Sequence, residues 1–546
     1  MQSVPILDLS DIQGYIVRPY GRLGFPYSRY FLFHIRRSAA GRSFIAGLRT
    51  RVTSAGRWWD GSGVVRPDSI PRPHVTLNVG LSFAGLTALG LPTRTLSRMP
   101  EEFINGMRAR AHILGDAGAS AAHEWDPVWQ GHGSTAVHIW VSLSSQSQAD
   151  GSPVPAFQDS TDWLLALADE CGGVELLSGH RGACQQWQDS SAIMKTGEDG
   201  RRTPTAAEHF GFNDGISDPV FDGQYDPSEV ASEVPGGGRI DTIRQAWAPL
   251  AAGEFILGQP SEAQELAEAT QPWSFTRNGS FMALRKLHQN LGRFDSSIAD
   301  HSALYQRVAG LASAEEARAT LMAKMAGRWP SGIPLAAAAT YADEQNLLAQ
   351  WADIPGLRAR PRPSRTAAEQ ARLRAFDLLL TDFRYADDTE GARCPLTAHM
   401  RRANPRDGLD PLLGSAGHQS DTNLSNRRRI MRRGMPYGDG STRDDAGEHG
   451  VIFMALCSSL FRQFEFVQQQ WLNYGASFRA GNDDDPLLGP RLSPGKFVIP
   501  VDPDGRDVPF ICSGLPAFVE TRGGEYFFLP SLSALRQIAQ GSIDPT

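Results

Sequence analysis

The sequence predicts an α+β protein of more than one module, and three observations carry that prediction. The chain runs to 546 residues, well past the roughly 150 of a common domain. Apolar residues recur at period two in some short runs and at helical spacing in others, and the two patterns alternate along the chain. Residues 74–83 place Val75, Leu77, Val79, Leu81 and Phe83 on one face, and residues 136–143 do the same with Val137, Ile139, Val141 and Leu143. Such alternation predicts antiparallel sheet with one wetter face.

The elements follow in order. Residues 29–36 read as a strand that is apolar on both faces. A helix is expected over 101–114, with Phe103, Ile104, Met107 and Ala111 at helical spacing, and another over 161–171, opening at Ser160 or Thr161 and closing at Gly172. The Gly/Pro-rich stretch 233–258 predicts a hinge, with Gly236-Gly237-Gly238 as a flexible turn, and Phe281–Arg285 opens a second module as a strand. Residues 300–380 are rich in Ala and Arg and helix-forming. Within them 355–376, broken by Pro355, Pro361 and Pro363, reads as an inserted, solvated segment without chemistry. Leu456, Leu460, Phe464, Val467 and Trp471 predict a long amphipathic helix over 456–472, and Leu532, Leu535 and Ile538 a short one after Pro530.

Composition narrows the function classes. The chain is 41% hydrophobic and 21% charged with a net charge of −7, which fits a globular protein and argues against nucleic acid as its main partner. Met1–Asp8 carries neither a basic n-region nor an apolar run, so no secretory signal is expected. No segment approaches the ~20 apolar residues that span a bilayer. The five cysteines, Cys171, Cys184, Cys394, Cys457 and Cys512, are scattered and odd in number, which suits free thiols in a reducing compartment. A cytoplasmic protein is the expectation. Cys-x-x-Cys, His-Glu-x-x-His, Gly-x-x-x-x-Gly-Lys and Gly-x-Ser-x-Gly are all absent.

Three stretches carry candidate chemistry. In Gly211-Phe212-Asn213-Asp214-Gly215-Ile216-Ser217-Asp218-Pro219 a carboxylate is pinned between glycines beside apolar residues. Such a loop can bring backbone close to a ligand and present a general acid/base; the same spacing also makes a plain Asx-type surface turn. In Cys394-Pro395-Leu396-Thr397-Ala398-His399-Met400-Arg401-Arg402-Ala403-Asn404-Pro405-Arg406 one histidine precedes three arginines. Neutral imidazole is a common axial ligand of haem iron and guanidinium pairs haem propionates, while a structural histidine near a helix end has the same local look. In Asn426–Gly438, five arginines fall within the seven positions 427–433, interrupted by Ile430 and Met431. That run reads as a solvated basic face, a nucleic-acid patch, or a partly buried segment whose arginines need anions.

Together these three segments resemble the dye-decolorizing peroxidases. Asp11-Ile12-Gln13-Gly14 near the start and Thr521–Pro530 near the end look like the same family, so the likeness covers nearly the whole chain and thins at 300–390. The resemblance implies two ferredoxin-like modules, each an antiparallel β-sheet with peripheral helices: residues 1–235, carrying the Asp214 loop, and residues 236–546, holding haem b and an insertion around 300–390. It implies His399 as the proximal iron ligand, Asp214 as the distal acid/base and Arg432 as its charge-stabilising companion. Gly215, Ser217, Arg402 and Phe453 would contact the haem, Asp485 of the run Asp483-Asp484-Asp485-Pro486 would support His399, and Tyr437 and Trp471 are candidates for surface electron transfer. Gly434 stands where some relatives carry a polar amide. No twin-arginine export signal precedes the fold, and the C-terminal Gly541–Thr546 does not look like the cargo tag of members packed in protein shells.

The expected partners are hydrogen peroxide and bulky aromatic or phenolic donors, with neither nucleic acid nor membrane; a monomer and a homo-oligomer both fit the sequence. A haem carrier or sensor with little turnover is the alternative; a carrier needs the axial ligand alone, whereas this chain has both Asp214 and Arg432.

Overall fold

The computed structural model describes residues 7–20, 23–59, 70–198, 200–241, 246–267, 272–360, 364–409, 423–490, 495–500 and 508–543. Residues 1–6 and 544–546, which enter the export and tag expectations, lie outside these, as do Pro361 and Pro363.

Nine strands form one sheet. In chain order they are β1 (Tyr27–Ile35), β2 (Val75–Leu81), β3 (Ile139–Ser145), β4 (Val174–Leu176), β5 (Gln188–Ser191), β6 (Ser280–Gln289), β7 (Met431–Tyr437), β8 (Gly450–Cys457) and β9 (Val519–Leu529). Their spatial order is β7-β8-β6-β9-β2-β3-β1-β4, with β5 also pairing β1, and every pairing is antiparallel. The first four strands lie in the order β2-β3-β1-β4 and the last four in the order β7-β8-β6-β9. Numbered within its own half, each order is 2-3-1-4, the ferredoxin-like arrangement. The halves meet edge to edge, where Phe528 of β9 faces Leu81 of β2. The connection between the two sets of strands is residues 192–279.

The paired strands have no wet face. Thr76, Asn78, Ser142 and Ser144, which alternate with the apolar residues of β2 and β3, are completely buried. Their face is covered by the N-terminal segment around Asp11–Gly14. Asn78 Oδ1 accepts from Tyr15 N at 3.2 Å, and Gln13 Nε2 donates to the Val79 carbonyl in one half and the Pro530 carbonyl in the other, each at 2.8 Å. Asp11 accepts from Asn278 Nδ2 and from Ser533 N. A buried polar group costs little once it is hydrogen-bonded, so a period-two pattern can mark a sheet covered on both sides.

Other boundaries move for local reasons. The helix expected over 101–114 is two pieces, Glu101–Ala109 and Ala111–Leu114, with a break at Gly106. The helix ending at Cys171 begins earlier than expected, at Ala156, and Gly172 caps it in the left-handed region. Leu456 belongs to β8, and the helix after it starts only where the Ser459 side chain caps Arg462 N. That helix is wound wide, as π-helix, over Leu460–Glu465 and Val467–Leu472, a geometry that recurs at functional sites. The Leu532–Gln540 helix opens at Ser531. Gly236, Gly237 and Gly238 are buried rather than a flexible turn, and the Gly237 and Gly238 carbonyls accept from Arg429. In the region of the insertion, α1 (Leu291–Ala309) packs on α2 (Ala314–Ala326), and α3 (Ala367–Thr381) packs on the short helix Ile354–Ala359. No helix among the described residues is long and apolar enough to cross a membrane.

Candidate active site

The largest apolar cavity is walled by β6, β7 and β8, the π-helix, the Asp214 loop and a one-turn helix, α4 (His399–Ala403). Its wall includes Phe212, Ile216, Phe453, Leu472 and Leu488, together with the titratable Glu208, Asp214, His399 and Arg432. The connection between the two sets of strands supplies part of the wall through a small hairpin. Ala207 bridges Asn213, Asp214 N donates to the Ala206 carbonyl at 2.9 Å, and Glu208 N donates to the Phe212 carbonyl at 3.0 Å. Asn213 ties this hairpin to the segment after α2, its N donating to the Pro330 carbonyl and its Nδ2 to the Ser331 carbonyl at 2.8 Å.

Asp214 is held from two directions. Arg432 Nη1 donates to its Oδ1 at 2.8 Å, and Gly215 N donates to the same oxygen at 2.6 Å. Gly215 reaches that position at φ 77° and is followed by Ser217 at φ 66°, a left-handed conformation uncommon for a residue with a side chain. Ser217 lines the cavity, and its Oγ donates to the Gly236 carbonyl. The Asp214 carboxylate holds the Arg432 guanidinium more firmly charged than usual.

His399 lines the cavity and carries its own carboxylate. Its Nδ1 lies 3.0 Å from Asp485 Oδ2, and Asp485 is fully buried with Oδ1 accepting from Leu487 N at 2.9 Å and Leu488 N at 2.8 Å. Burial disfavours the charged imidazole, but Asp485 more than offsets it, so the ring titrates above its ordinary value. Burial likewise opposes charge on Asp485, and His399 and Arg402 outweigh it, holding the carboxyl below the usual range. Oδ2 carries no proton there, so it accepts from Nδ1–H, and in the neutral ring this leaves Nε2 with its lone pair.

Haem fits these residues. The cavity joins an apolar wall to an imidazole, a common axial ligand of haem iron, and to a carboxylate–guanidinium pair. Arg328, Arg406 and Arg429 also line it. Arg328 is 4% exposed, and among the described residues its Nη2 has no partner, a buried donor left for an anion such as a propionate.

The structure corrects some expected roles. Arg402 does not line this cavity. Its guanidinium donates to the carbonyls of Trp471, Leu472 and Asp483, so it secures the backbone around Asp485 and leaves the anion-binding positions to Arg328 and Arg406. Tyr437 and Trp471 are each 1% exposed. Tyr437 lies on β7 beneath Lys286, whose Nζ is 4.8 Å from the ring, and Trp471 packs between Phe466 and Phe478. Neither can meet a bulky donor at the surface. The basic run is spent internally: Arg428 donates to the Arg462 carbonyl, Arg429 to Gly237 and Gly238, Arg432 to Asp214, and Arg433 to Asp218 and the Tyr15 carbonyl.

Other expected residues fall at the cavity. Phe453 lies on its wall, opposite Gly434 in the β7–β8 register. A Cβ on Gly434 would sit 2.0 Å from the Ile452 carbonyl oxygen, so no amide side chain could stand there. Three contributors went unassigned from the sequence. Arg328 follows α2 within the insertion, Gln289 ends β6, and Glu208 accepts from Gln289 Nε2 and from the backbone N–H of Phe210 and Phe212. The only sequence signal for Glu208 was its place three residues before Gly211, where the Asp214 motif opens.

Comparison with known proteins agrees with this geometry. The family model for the C-terminal part of Dyp-type peroxidases matches residues 390–482, the span from the His399 motif to the approach to Asp485. Peroxidase 2 of Mycetinis scorodonius is 28% identical over 97% of this chain and 87% of its own length. A dye-decolorizing peroxidase of Auricularia auricula-judae is 28% identical over 85% of this chain and 75% of its own. A solved dye-decolorizing peroxidase in complex with 2,6-dimethoxyphenol superposes with a TM-score of 0.67 at 26% identity, covering 98% of this chain and all of that one. The chain is thus similar to dye-decolorizing peroxidases along nearly its whole length, matches their family model in its C-terminal part, and is a hydrogen-peroxide-dependent oxidoreductase.

Proposed function

We propose that this chain binds haem b in the cavity between His399 and Asp214 and oxidises bulky aromatic and phenolic donors by one-electron steps at the expense of hydrogen peroxide. The observation that carries this reading is the pairing of two carboxylate-supported sites in one cavity: His399 on Asp485, and Asp214 with Arg432. The solved relative bound to 2,6-dimethoxyphenol supports the donor class. Residues 1–235 would form the module that brings Asp214, and residues 236–546 the module that holds the haem. The five cysteines, none in a disulfide, support a reducing, cytoplasmic setting.

Bound haem supplies the iron at which peroxide is reduced and through which donors are oxidised. His399 would hold it through Nε2, oriented by Asp485 on Nδ1. Arg328 and Arg406 would meet its propionates, and Phe453 would cover one face. Hydrogen peroxide is too weak an acid to ionise readily at neutral pH, so its first proton needs a base. The Asp214 carboxylate takes that proton and returns it to the leaving oxygen, turning a poor leaving group into water. The Arg432 guanidinium opposes the negative charge that develops as the O–O bond breaks. Phe212 and Ile216 line the same space and help exclude water.

The alternative of a haem carrier does not account for an acid/base and a guanidinium fixed on each other in the cavity. The test is reconstitution with haem b followed by addition of peroxide and an anthraquinone dye. A Soret band and peroxide-dependent bleaching of the dye are expected; a Soret band with no bleaching would favour the carrier.

A further inference from the structure

We propose that Glu208 is a positioning residue that sets both the place and the basicity of Asp214, so that the peroxide step is governed by a pair of carboxylates rather than by one. The inference rests on the assignment of Asp214 as the base and goes beyond it. Glu208 and Asp214 stand on the two strands of the same hairpin, and both line the cavity. The Glu208 side chain fills the hairpin's turn: Oε2 accepts from Phe210 N at 2.9 Å and Oε1 from Phe212 N at 2.9 Å. Oε2 also accepts from Gln289 Nε2 at 2.5 Å. Gln289 belongs to β6, so this contact fastens the hairpin to the second half of the sheet. Three donors and no acceptor face the carboxyl, which suits its ionised form.

Burial nonetheless raises the Glu208 carboxyl above its ordinary range, and Asp214 raises it further against the opposing hydrogen bonds. The coupling is mutual. Ionised Glu208 makes ionisation of Asp214 harder and therefore makes Asp214 the stronger base. The other charged and titratable groups facing the pair are Arg432 on β7, bonded to Asp214, His399 on α4, electrostatically coupled to Asp214, and Arg443 on the β7–β8 loop, bonded to the His209 carbonyl. His209 itself is pushed down to about 4, chiefly by burial, so it is neutral near pH 7. Its ring packs against that of His449 at 5.7 Å.

The sign follows from the charges. Replacing ionised Glu208 by a neutral residue removes a negative neighbour, lowers the pKa of Asp214, and moves the acid limb of the peroxide reaction to lower pH. The experiment uses the haem-loaded protein and reads two quantities against pH: the second-order rate constant for hydrogen peroxide, and the cyanide dissociation constant from the Soret shift, which needs no turnover. Glu208→Gln is expected to move the acid limb in both readouts down by roughly half a unit to one unit, with a lower maximal rate. Glu208→Asp keeps the charge and should leave the limb in place while lowering the rate. Gln289→Leu leaves Glu208 where it is but withdraws a donor, so Glu208 protonates at higher pH and the limb again moves down. That variant carries the test if Glu208→Gln takes up no haem.

A uniform loss of rate in Glu208→Gln and Gln289→Leu, with the limb unmoved, would show a merely structural role and overturn the proposal. Asp214→Asn separates the two claims. If it abolishes the limb while the Glu208 and Gln289 variants do not shift it, only the present inference fails; if it keeps both rate and limb, the assignment of Asp214 fails.

Discussion

Asp214→Asn is expected to slow the reaction with hydrogen peroxide by roughly 10²- to 10⁴-fold, the range for loss of a positioned acid/base, while leaving haem binding intact. The amide is nearly isosteric, and its oxygen can still accept from Gly215 N and Arg432 Nη1, as Oδ1 does now. It cannot take a proton from peroxide. The expected signature is thus a normal Soret band with a depressed bimolecular rate in stopped-flow mixing, and full reactivity would remove Asp214 from the mechanism. The loss should exceed that from most other substitutions in the cavity, because apolar wall residues shape the space without handling protons.

Asp485→Asn should weaken haem retention by roughly 10- to 100-fold, as loss of a metal ligand's supporting partner commonly does. The amide oxygen would keep the bonds to Leu487 N and Leu488 N that Oδ1 now accepts, so the local backbone survives. The amide nitrogen would stand where Oδ2 now lies 3.0 Å from His399 Nδ1. Two donors then face each other, and the relief is to move the imidazole proton to Nε2, the nitrogen a metal needs. Asp485→Ala would be harsher, because it leaves two backbone N–H groups and the ring without acceptors in a site that is fully buried. Titration of the reconstituted variants with a haem-accepting competitor such as apomyoglobin separates these cases, and retention equal to the parent chain would contradict the role of Asp485.

How much of this was legible in the sequence varied with the kind of information each residue carried. Period-two runs marked β2 and β3, since alternation survives whatever covers the second face. The same runs misjudged that face, because Gln13 and Tyr15, which satisfy Asn78 and Val79, lie more than sixty residues away. Asp485 was legible from its place in an acidic run, and the cavity adds the reason, its contact with His399. Arg402 was misjudged because a guanidinium can satisfy itself on carbonyls as well as on propionates, and only the fold puts Trp471, Leu472 and Asp483 around it. Arg328 could not have been found by spacing. It follows α2 within the region read as an insertion, where its Nη1 donates to the Leu380 carbonyl and, among the described residues, its other terminal nitrogen is buried without a partner. The stretch 355–376 itself lies apart from the cavity, but the residues flanking it reach the site: Arg328 before it, and Thr381 and Phe383 after it, whose carbonyls accept from Arg406.

Tyr437 shows a different limit. Position within a motif suggested a surface residue, yet β7 lies at the end of the sheet order with Tyr437 almost wholly buried. A strand at the edge of a sheet is exposed along its hydrogen-bonding edge, not across its faces, and here Lys286 of β6 lies over the ring. Electron transfer to bulky donors must therefore be sought at residues other than Tyr437 and Trp471.

The central claim is that one cavity holds haem with His399 on one side and Asp214 on the other. The most direct test is the optical and electron-paramagnetic resonance spectrum of the haem-loaded protein compared with His399→Ala. A ferric histidine-ligated spectrum in the parent, lost in the variant and restored by added imidazole, is the predicted result. An unchanged spectrum in His399→Ala would contradict the account.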